Sequence, residues 1–367
     1  MGSAAVYHLA RHRATVLGLD QFTPPHGHGS SHGHTRTIRF AYAEGSGYVP
    51  LVKRAHFLWR ELEALSGRRL LTTTGGLTIG SPNGPAVSGA KESAEQHGLE
   101  HEILDVDAVR RRFPTLAMDD GQTALFEPNA GVLHPEICIR EHLRAARLHG
   151  AELLTDTPVQ SWSVAPPTQR VQVQTGAGEF TADRLVVAAG AWAGALINRA
   201  VVPLAPRRLY QFWINIDRAD RSFHPPLLPT HFWELDNGSE IYGHPVLHGA
   251  PGVKIAFHNR HQDTDPSANA GPPPETLARD MAAFLRRHLP TLEGRPWTAA
   301  PCLYTLSPDR HFIIGPLPDM PEIIVAAGFS GHGFKFASAV GEAVAAMALG
   351  VSEGPDISTF SVLRFLP

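Results

Sequence analysis

The chain has 367 residues, of which 43% are hydrophobic and 18% are charged, and its formal net charge is -3 at pH 7. This balance fits one large or two intertwined globular domains. The small net charge argues against a general polyanion-binding surface, so we expect no nucleic-acid partner. Two cysteines, Cys138 and Cys302, are too few for a disulfide scaffold and fit a reducing compartment. No apolar run is long enough for a membrane span and no signal peptide is visible, so we expect a cytoplasmic protein.

The first twenty residues follow part of a dinucleotide-binding pattern. Residues 2–12 predict a helix, residues 14–19 predict a short apolar strand, and Asp20 follows that strand. A dinucleotide-binding unit has the order strand, Gly-rich turn, helix, strand, acidic residue. Gly2 fits the last glycine of such a turn, but the first strand and the leading glycines are not seen. A helix followed by a strand in any other α/β protein explains this stretch about as well.

Two later stretches repeat the order of strand, glycine and helix. Residues 184–196 form an apolar run into Gly190 with a helix beyond it. Residues 323–327 predict a buried strand, and a glycine-rich loop then leads to a helix over 337–349. Residues 171–175 alternate and precede a Gly-Ala-Gly turn, which predicts a hairpin. Because long stretches separate these units, we expect a discontinuous α/β domain, with an antiparallel sheet built from the inserted stretches as a second layer.

Residues 24–39 read PPHGHGSSHGHTRTIR and contain four histidines and two arginines. Three interpretations are open from the residues alone: a metal site, a tag-like linker, or the edge of a cofactor pocket. Metal ligands need a rigid scaffold that makes them converge, whereas His-Gly-His repeats are flexible. We therefore expect no metal site in this stretch.

The chain resembles the monomeric sarcosine oxidase and N-methyltryptophan oxidase group of flavin-dependent amine oxidases. The matching stretches occur in family order along nearly the whole chain, and the two strongest are the cysteine-containing one and the last glycine-rich one. They are SHGHTRTIRFAYAEGSGYVPLV, FEPNAGVLHPEICIR, VVAAGAW, NGSEIYGHP, VKIAFH, CLYTLSPDRHFIIG and AAGFSGHGFKFAS.

The resemblance implies an α/β fold with two parts. The first is a discontinuous, Rossmann-like FAD-binding domain made of residues 1–83, 138–205 and 295–367, whose first strand is apparently missing. The second is an α+β substrate domain with an antiparallel sheet, made of residues 84–137 and 206–294.

The resemblance also implies FAD as the cofactor, covalently bound through a thioether from Cys302 to the flavin 8-methyl carbon. A lone buried cysteine is otherwise usually a small hydrophobic residue. Asp20 is expected at the adenosine ribose, and Ser3 where the first helix meets the pyrophosphate. The other expected FAD-binding residues are Gly2, His32, Arg36, Val159, Gly190, Trp192, Gly331, Gly333 and Lys335.

The resemblance further assigns a set of substrate-site residues, which are Arg36, Arg39, Tyr242, Lys254, His258, Tyr304 and Lys335. Arg39 and Lys335 would clamp the substrate carboxylate with charge-assisted hydrogen bonds. Lys254 would act on the opposite flavin face, where oxygen is reduced, because a buried lysine is costly unless it serves a function. A hydrogen-bonded core histidine remains an alternative for His258, and ordinary core packing remains one for the two tyrosines.

Three positions in the histidine-rich stretch depart from the family pattern. Ser31, His34 and Phe40 stand where the family usually has His, Asp and His. His26, His28 and His34 are expected to be solvated loop residues. These departures concern the tuning of the flavin more than the class of reaction.

The implied activity is FAD-dependent oxidative demethylation of a sarcosine-like N-methyl amino acid by a monomeric enzyme. Molecular oxygen would be the acceptor, and the products would be an amino acid, an aldehyde and hydrogen peroxide. Oxidation of N-methyl-L-tryptophan or of a cyclic secondary amino acid is an alternative. A truncated, flavin-poor and non-catalytic remnant is an alternative of another class, because the first strand of a doubly wound sheet is central and buried.

Overall fold

The computed structural model describes residues 1–166, 169–197, 202–217, 219–351 and 354–365. Its helices are α1 (Gly2–Arg11), α2 (Tyr48–Ser66), α3 (Pro85–Gln96), α4 (Val106–Arg112), α5 (Pro135–Leu148), α6 (Ala193–Leu196), α7 (Glu275–His288) and α8 (Ala337–Leu349). Its first ten strands are β1 (Leu17–Leu19), β2 (Arg36–Ile38), β3 (Leu71–Thr73), β4 (Gly76–Gly80), β5 (Glu102–Leu104), β6 (Thr123–Glu127), β7 (Gly131–Leu133), β8 (Glu152–Leu154), β9 (Val159–Ala165) and β10 (Arg170–Thr175). The other strands are β11 (Gly178–Ala182), β12 (Leu185–Val187), β13 (Ala205–Ile214), β14 (Thr230–Glu234), β15 (Glu240–His244), β16 (Val253–Phe257), β17 (Gln262–Asp263), β18 (Trp297–Leu306), β19 (Ile313–Leu317) and β20 (Met320–Ala327).

The predicted α/β part is built on two small parallel pairings. β1 pairs with β8, and β12 pairs with β20, which also pairs antiparallel with β19. Within the described residues no strand pairs with both β1 and β12, so the parallel part of the fold is split into two small sheets. β1 begins at Leu17 rather than at residue 14, and α1 ends at Arg11 rather than at residue 12.

Helix α1 packs against α8 because both helices carry small residues at their contact. Ala4 is fully buried, and a Cβ added to Gly341 of α8 would collide with its side chain. Gly350 ends α8 in the left-handed conformation with φ of 67°, as the sequence predicted. The close approach of the two helices fixes the position of the α1 N-terminus.

The turns that follow β12 and β20 also match the prediction. β12 leads to Gly190, which has φ of 54° and opens a 3₁₀ turn before the short α6. β20 leads to Gly328 with φ of 63°, followed by a 3₁₀ turn over Phe334–Phe336 and then α8. The predicted hairpin is formed by β10 and β11, which pair antiparallel from Val171 to Thr175.

The predicted second layer is a large, mostly antiparallel sheet. Its strand order is β17-β13-β16-β15-β14-β4-β6-β5, and β18 pairs along the whole length of β13. Trp233 of β14 and Phe212 of β13 lie in its core together with Phe284 of α7. The sheet takes β4 and β18 from stretches predicted for the FAD domain, and the two-domain division itself stays a prediction.

No helix in the described ranges is both long and apolar enough to cross a bilayer.

Candidate active site

A cavity of about 1190 Å³ lies between the split parallel sheet and the large antiparallel sheet. Pockets for small molecules usually have roughly 300–1,000 Å³, so this cavity is large enough for a dinucleotide with a substrate beside it. Most of the predicted site residues line it, namely Gly2, Ser3, Asp20, Arg36, Arg39, Val159, Gly190, Trp192, Tyr242, His258, Cys302, Tyr304, Gly331, Gly333 and Lys335. His32 lines a neighbouring cavity of about 430 Å³. Lys254 is buried and lines neither cavity.

One end of the cavity suits a nucleotide. The N-terminus of α1 opens into it, where free backbone amides and the helix dipole favour a phosphate group. Asp20 follows β1 directly, and its backbone N–H donates to the carbonyl of Leu154 on β8. Its Oδ1 accepts from the backbone N–H of Phe22 at 2.9 Å, which holds the carboxylate in place. An acid at the end of the second strand is the usual partner of a ribose hydroxyl.

Cys302 and Arg36 meet near the middle of the cavity. The Cys302 Sγ is 3.8 Å from Nη2 of Arg36, and the cysteine is 4% exposed and not in a disulfide. Arg36 is held by the carbonyls of Ser30 at 2.6 Å and Thr35 at 2.7 Å. The structure therefore places a positive charge beside the sulfur that the sequence predicts to carry the cofactor.

The residues around this point fit a flavin ring. A Cβ at Gly331 would collide with the ring of Tyr304, and one at Gly33 would collide with the amide of Gln211, so both glycines allow these side chains to pack directly against the backbone. The His32 Nε2 and Gln211 Nε2 atoms are buried without a hydrogen-bond partner in the described structure. Buried polar atoms need partners, and the ring nitrogens and oxygens of a flavin would supply them.

The far end of the cavity holds two cations. Arg39 is 8% exposed and donates to both carboxylate oxygens of Glu44 at 3.3 Å and to Thr78 Oγ1 at 3.2 Å. Its guanidinium lies 4.9 Å from the ring centroid of Phe232. Lys335 is 6% exposed and donates to Tyr42 Oη at 3.2 Å.

Burial and neighbouring charges set the protonation of these groups. Burial lowers the pKa of Lys335 to about 7, and Arg39 adds to this effect while Glu44 opposes it. Burial disfavours the charged form of Glu44, but Arg39, His332 and Lys335 outweigh it and hold its pKa at about 2. Glu44 is thus an anion that occupies Arg39 and that an incoming carboxylate must displace.

Lys254 differs from Lys335 in its partners. Its Nζ donates to the backbone carbonyls of Gly33 at 3.1 Å and Thr35 at 3.0 Å, and burial together with Arg36 lowers its pKa well below the usual value. Beside it, the buried His244 bonds to the Thr35 hydroxyl at 2.6 Å through Nδ1. This lysine supports the loop before β2 and lacks a carboxylate partner in the described structure.

His258 lies just past the end of β16, so the regular strand that was predicted to carry it stops one residue earlier. Its Nδ1 is 3.2 Å from the Tyr304 hydroxyl, and its ring lies 6.5 Å from that of Tyr242. Burial lowers the pKa of His258 to about 4, so the imidazole is neutral near pH 7. The predicted pair of tyrosines and this histidine therefore form one uncharged wall.

Several residues that the sequence reasoning did not assign also line this end of the cavity, namely Glu44, Thr78, Glu127, Thr230, Phe232 and His332. Glu44 carried a signal, because it is an acid five residues after Arg39 in the stretch RFAYAEG. Phe232 and Trp233 were not separable by sequence, and the structure puts Phe232 in the cavity and Trp233 in the core.

Three other loop histidines, His26, His28 and His34, were predicted to be solvated, and two of them are exposed. His28 and His34 are exposed. His26 is half-buried against the ring of Phe22, with 4.9 Å between ring centroids, and so differs from the prediction. No group of three or more potential ligands converges on a metal position among the described residues.

Comparison with known proteins agrees with this geometry. Residues 1–347 match the family described as FAD dependent oxidoreductase. The chain is 39% identical to a monomeric sarcosine oxidase from Streptomyces avermitilis, over 99% of this chain and 95% of the relative. It is 36% identical to an N-methyl-L-tryptophan oxidase from Citrobacter koseri, over 100% of this chain and 96% of the relative.

Solved structures show the same fold at lower identity. NikD, an amino acid oxidase essential for nikkomycin biosynthesis, superposes with a TM-score of 0.83 at 22% identity, over 98% of this chain and 94% of that one. Glycine oxidase from Geobacillus kaustophilus superposes with a TM-score of 0.81 at 20% identity, over 99% and 95%. The fold, the cavity and the near full-length match together show that the chain belongs to the FAD dependent oxidoreductase family.

Proposed function

We propose that this FAD-dependent oxidoreductase is an oxidase that demethylates a small, sarcosine-like N-methyl amino acid with molecular oxygen as acceptor. The products would be the amino acid, an aldehyde and hydrogen peroxide. The observation that carries the proposal is the pair of buried cations, Arg39 and Lys335, in the cavity that also contains Cys302. Relatives named sarcosine oxidase cover the chain almost completely, which supports this substrate class.

Arg39 and Lys335 would bind the substrate carboxylate. Charge-assisted hydrogen bonds are strong where water is excluded, and both side chains are buried. Fixing the carboxylate leaves the N-methyl carbon of a small amino acid with one orientation toward the middle of the cavity. When FAD is bound there, it supplies the redox chemistry by accepting a hydride equivalent and passing electrons to oxygen.

The remaining side chains would set the state of the amine. His258 is uncharged, and the two cations Arg39 and Lys335 disfavour a positive charge on the substrate amine. The amine is therefore taken up in its neutral form. Tyr242 and Tyr304 complete this wall of the pocket. No general base is then required, because the neutral nitrogen lone pair already favours loss of hydride from the adjacent carbon.

Cys302 is proposed as the site of a thioether to the flavin, with Arg36 beside it. If so, protein precipitated with acid keeps its yellow colour, whereas the Cys302→Ala variant releases flavin into the supernatant. Cys138, which is fully buried under the carbonyl of Leu70, gives the matched control, because Cys138→Ala should leave the flavin attached. A colourless pellet from active wild-type protein would disprove the covalent link.

Lys254 is proposed to act on oxygen, and the enzyme is proposed to be a cytoplasmic monomer.

A substrate panel scored by peroxide release tests the main proposal. Sarcosine should give the highest kcat/KM, because Phe232 limits the space above Arg39. Preference for N-methyl-L-tryptophan or for a cyclic secondary amino acid would replace the proposed substrate, and peroxide release from none of them would refute the function.

A further inference from the structure

Lys335 stands at one end of a chain of hydrogen bonds that leads away from the cavity. Its Nζ donates to Tyr42 Oη at 3.2 Å, and Tyr42 Oη is 2.6 Å from His332 Nδ1. The other ring nitrogen of His332, Nε2, is 3.2 Å from the backbone carbonyl of Arg310. Tyr42 is fully buried, so its hydroxyl has no access to water that would replace these partners.

The carbonyl at the far end fixes the direction of every bond in this chain. A carbonyl oxygen only accepts, so Nε2 of His332 must carry the proton that it donates to Arg310. Burial lowers the pKa of His332 to about 3, so its ring is neutral and Nδ1 is an acceptor. The Tyr42 hydroxyl therefore gives its one proton to His332. Its oxygen is left with lone pairs that face the Lys335 ammonium.

We propose that Tyr42 and His332 are positioning residues that keep Lys335 charged and aimed at the substrate carboxylate. The polarised Tyr42 oxygen accepts from the ammonium and stabilises the charged form, which burial alone would disfavour. The carbonyl of His332 accepts a second N–H from Lys335 at 2.9 Å. This inference rests on the proposed role of Lys335 in the substrate site.

Other titratable groups also face Lys335. Glu44, on the loop after β2, favours its charged form, whereas Arg39, the first residue after β2, disfavours it. His258 faces it across the cavity and is neutral near pH 7. Tyr42→Phe leaves all three of these side chains in place, so the effect of the hydrogen-bond chain is separable from theirs.

The test is a direct titration of Lys335. The chain contains four lysines, Lys53, Lys91, Lys254 and Lys335, so protein labelled with ¹³C at lysine Cε gives four assignable NMR signals. The Lys335 signal is assigned by its loss in Lys335→Met. In the FAD-loaded Tyr42→Phe variant we expect the pKa of Lys335 to fall by about one pH unit, the size of one lost charge-assisted hydrogen bond. The Lys254 signal should not move.

Matched variants separate this role from simple packing. His332→Leu removes the acceptor for Tyr42 and should also lower the pKa of Lys335. His332→Gln keeps an acceptor and a donor and should restore that pKa. Tyr48→Phe is the control, because the Tyr48 hydroxyl makes a similar bond to His311 Nδ1 at 2.9 Å, while its ring packs against Tyr42 and His332. The proposal would be overturned if the pKa of Lys335 were unchanged in Tyr42→Phe, or in His332→Leu should the first variant not fold.

Calorimetric binding of acetate distinguishes this proposal from the proposed function. If acetate affinity falls at the pH where Lys335 loses its proton, and this pH moves down in Tyr42→Phe, both stand. If the pKa of Lys335 moves but acetate binding does not follow it, the role of Tyr42 and His332 in keeping Lys335 charged stands, and the carboxylate role of Lys335 is wrong. If acetate binding requires Lys335 but its titration ignores Tyr42 and His332, the positioning role is wrong and the proposed function stands.

Discussion

Three buried cations, Arg39, Lys254 and Lys335, differ in what balances their charge. Arg39 faces a carboxylate, whereas Lys254 donates to two carbonyls and Lys335 to a hydroxyl and a carbonyl. Neutral acceptors compensate only part of the cost of burying an ammonium, so burial lowers the pKa of both lysines. An anion that arrives or develops nearby would favour the charged form of each lysine further, and this is how each lysine would act on substrate or on oxygen.

The two lysines are expected to act in different half-reactions. Lys254→Met should slow flavin reoxidation by roughly a hundredfold or more, the usual cost of losing one electrostatic stabiliser. The rate at which substrate reduces the flavin without oxygen should change much less, because Lys254 does not line the main cavity. Lys335→Met should give the reverse pattern. Stopped-flow mixing with and without oxygen measures the two rates, and a Lys254→Met variant that is slow only in reduction would move this lysine to the substrate clamp.

Glu44 is expected to compete with the substrate carboxylate for Arg39. In Glu44→Gln, acetate should bind about tenfold tighter at pH 6, since about 1.4 kcal/mol of competition is removed. Glu44 also raises the pKa of Lys335, so without it Lys335 loses its proton at lower pH and the advantage should disappear as pH rises. Calorimetry from pH 5.5 to 8 measures both effects. Glu44→Asp keeps the charge and is the control, and weaker acetate binding by Glu44→Gln at pH 6 would contradict this role.

The sequence predicted residues whose neighbours in the chain identify them. Asp20 is recognisable locally because it follows a strand, whereas Lys335 was assigned through the family resemblance of the glycine-rich stretch around it, and both line the cavity. Phe232 was not recognisable, because β14 has side chains buried on both faces and alternation then does not show which face meets the cavity. The contact of Tyr42 with His332 joins residues 290 positions apart, so only the folded chain brings them together.

At the scale of elements, the loop between β1 and β2 is held from two sides. Lys254 of β16 donates to the carbonyls of Gly33 and Thr35, and Glu136 of α5 accepts from the backbone N–H groups of Gly33 at 2.7 Å and His34 at 3.0 Å. Burial opposes the charge of Glu136, but these amides and Arg36 outweigh it and lower its pKa. The histidine-rich stretch is therefore an ordered wall of the main cavity, although its composition resembles that of a flexible linker.

Glu136 should consequently stabilise this loop. Glu136→Ala removes the acceptor of two amides and should lower the free energy of unfolding by about 1.5–3 kcal/mol. Glu136→Gln keeps one acceptor oxygen and should lose less. Urea unfolding followed by circular dichroism gives the free energy, and flavin fluorescence reports whether the pocket wall loosens. The exposed pair of Asp107 and Arg110 on α4 supplies the control, since Asp107→Ala should cost little. Equal losses in Glu136→Ala and Asp107→Ala would refute this role.

Element prediction was accurate where a short stretch carries its own signal. The glycine caps of α8 and of the Gly190 turn appear where the sequence placed them, because only glycine adopts positive φ without strain. β1 is shorter than predicted, because apolar character continues toward residue 14 while parallel pairing with β8 begins at Leu17. Pairing depends on a partner strand about 135 residues away, which the local pattern does not contain.

At the scale of the whole molecule, the fold buries many titratable rings. Burial lowers the pKa of seven described histidines most strongly: His8, His32, His231 and His258 to about 4, His332 to about 3, and His142 and His244 well below the usual value. These histidines lie on both layers and around the cavity, so no single element accounts for them. The folded protein therefore binds fewer protons than the unfolded chain near pH 5.

This difference predicts a loss of stability between about pH 6.5 and pH 5. A histidine whose folded pKa is lowered stays neutral in the native state but takes up a proton when the chain unfolds, so falling pH favours unfolding as soon as it passes the unfolded value of about 6.5. Carboxylates with lowered pKa values, such as Glu44, add to the loss only below about pH 4.5. Histidines should therefore dominate this window, with on the order of five or six protons taken up per molecule unfolded at pH 5.

Urea unfolding of the FAD-loaded enzyme at a series of pH values gives this number from the slope of the free energy against pH. His142 packs between the rings of Tyr7 and Trp59, so His142→Phe keeps an aromatic ring there but removes a titrating group. The variant should take up about one proton fewer than the wild type, and its stability should fall less steeply below pH 6.5. His28→Ala is the control, because His28 is exposed to water before and after unfolding. A free energy of unfolding that stays constant from pH 7 to pH 5 would show that these histidines are protonated in the native state, and their burial would then need charged partners that the described structure does not supply.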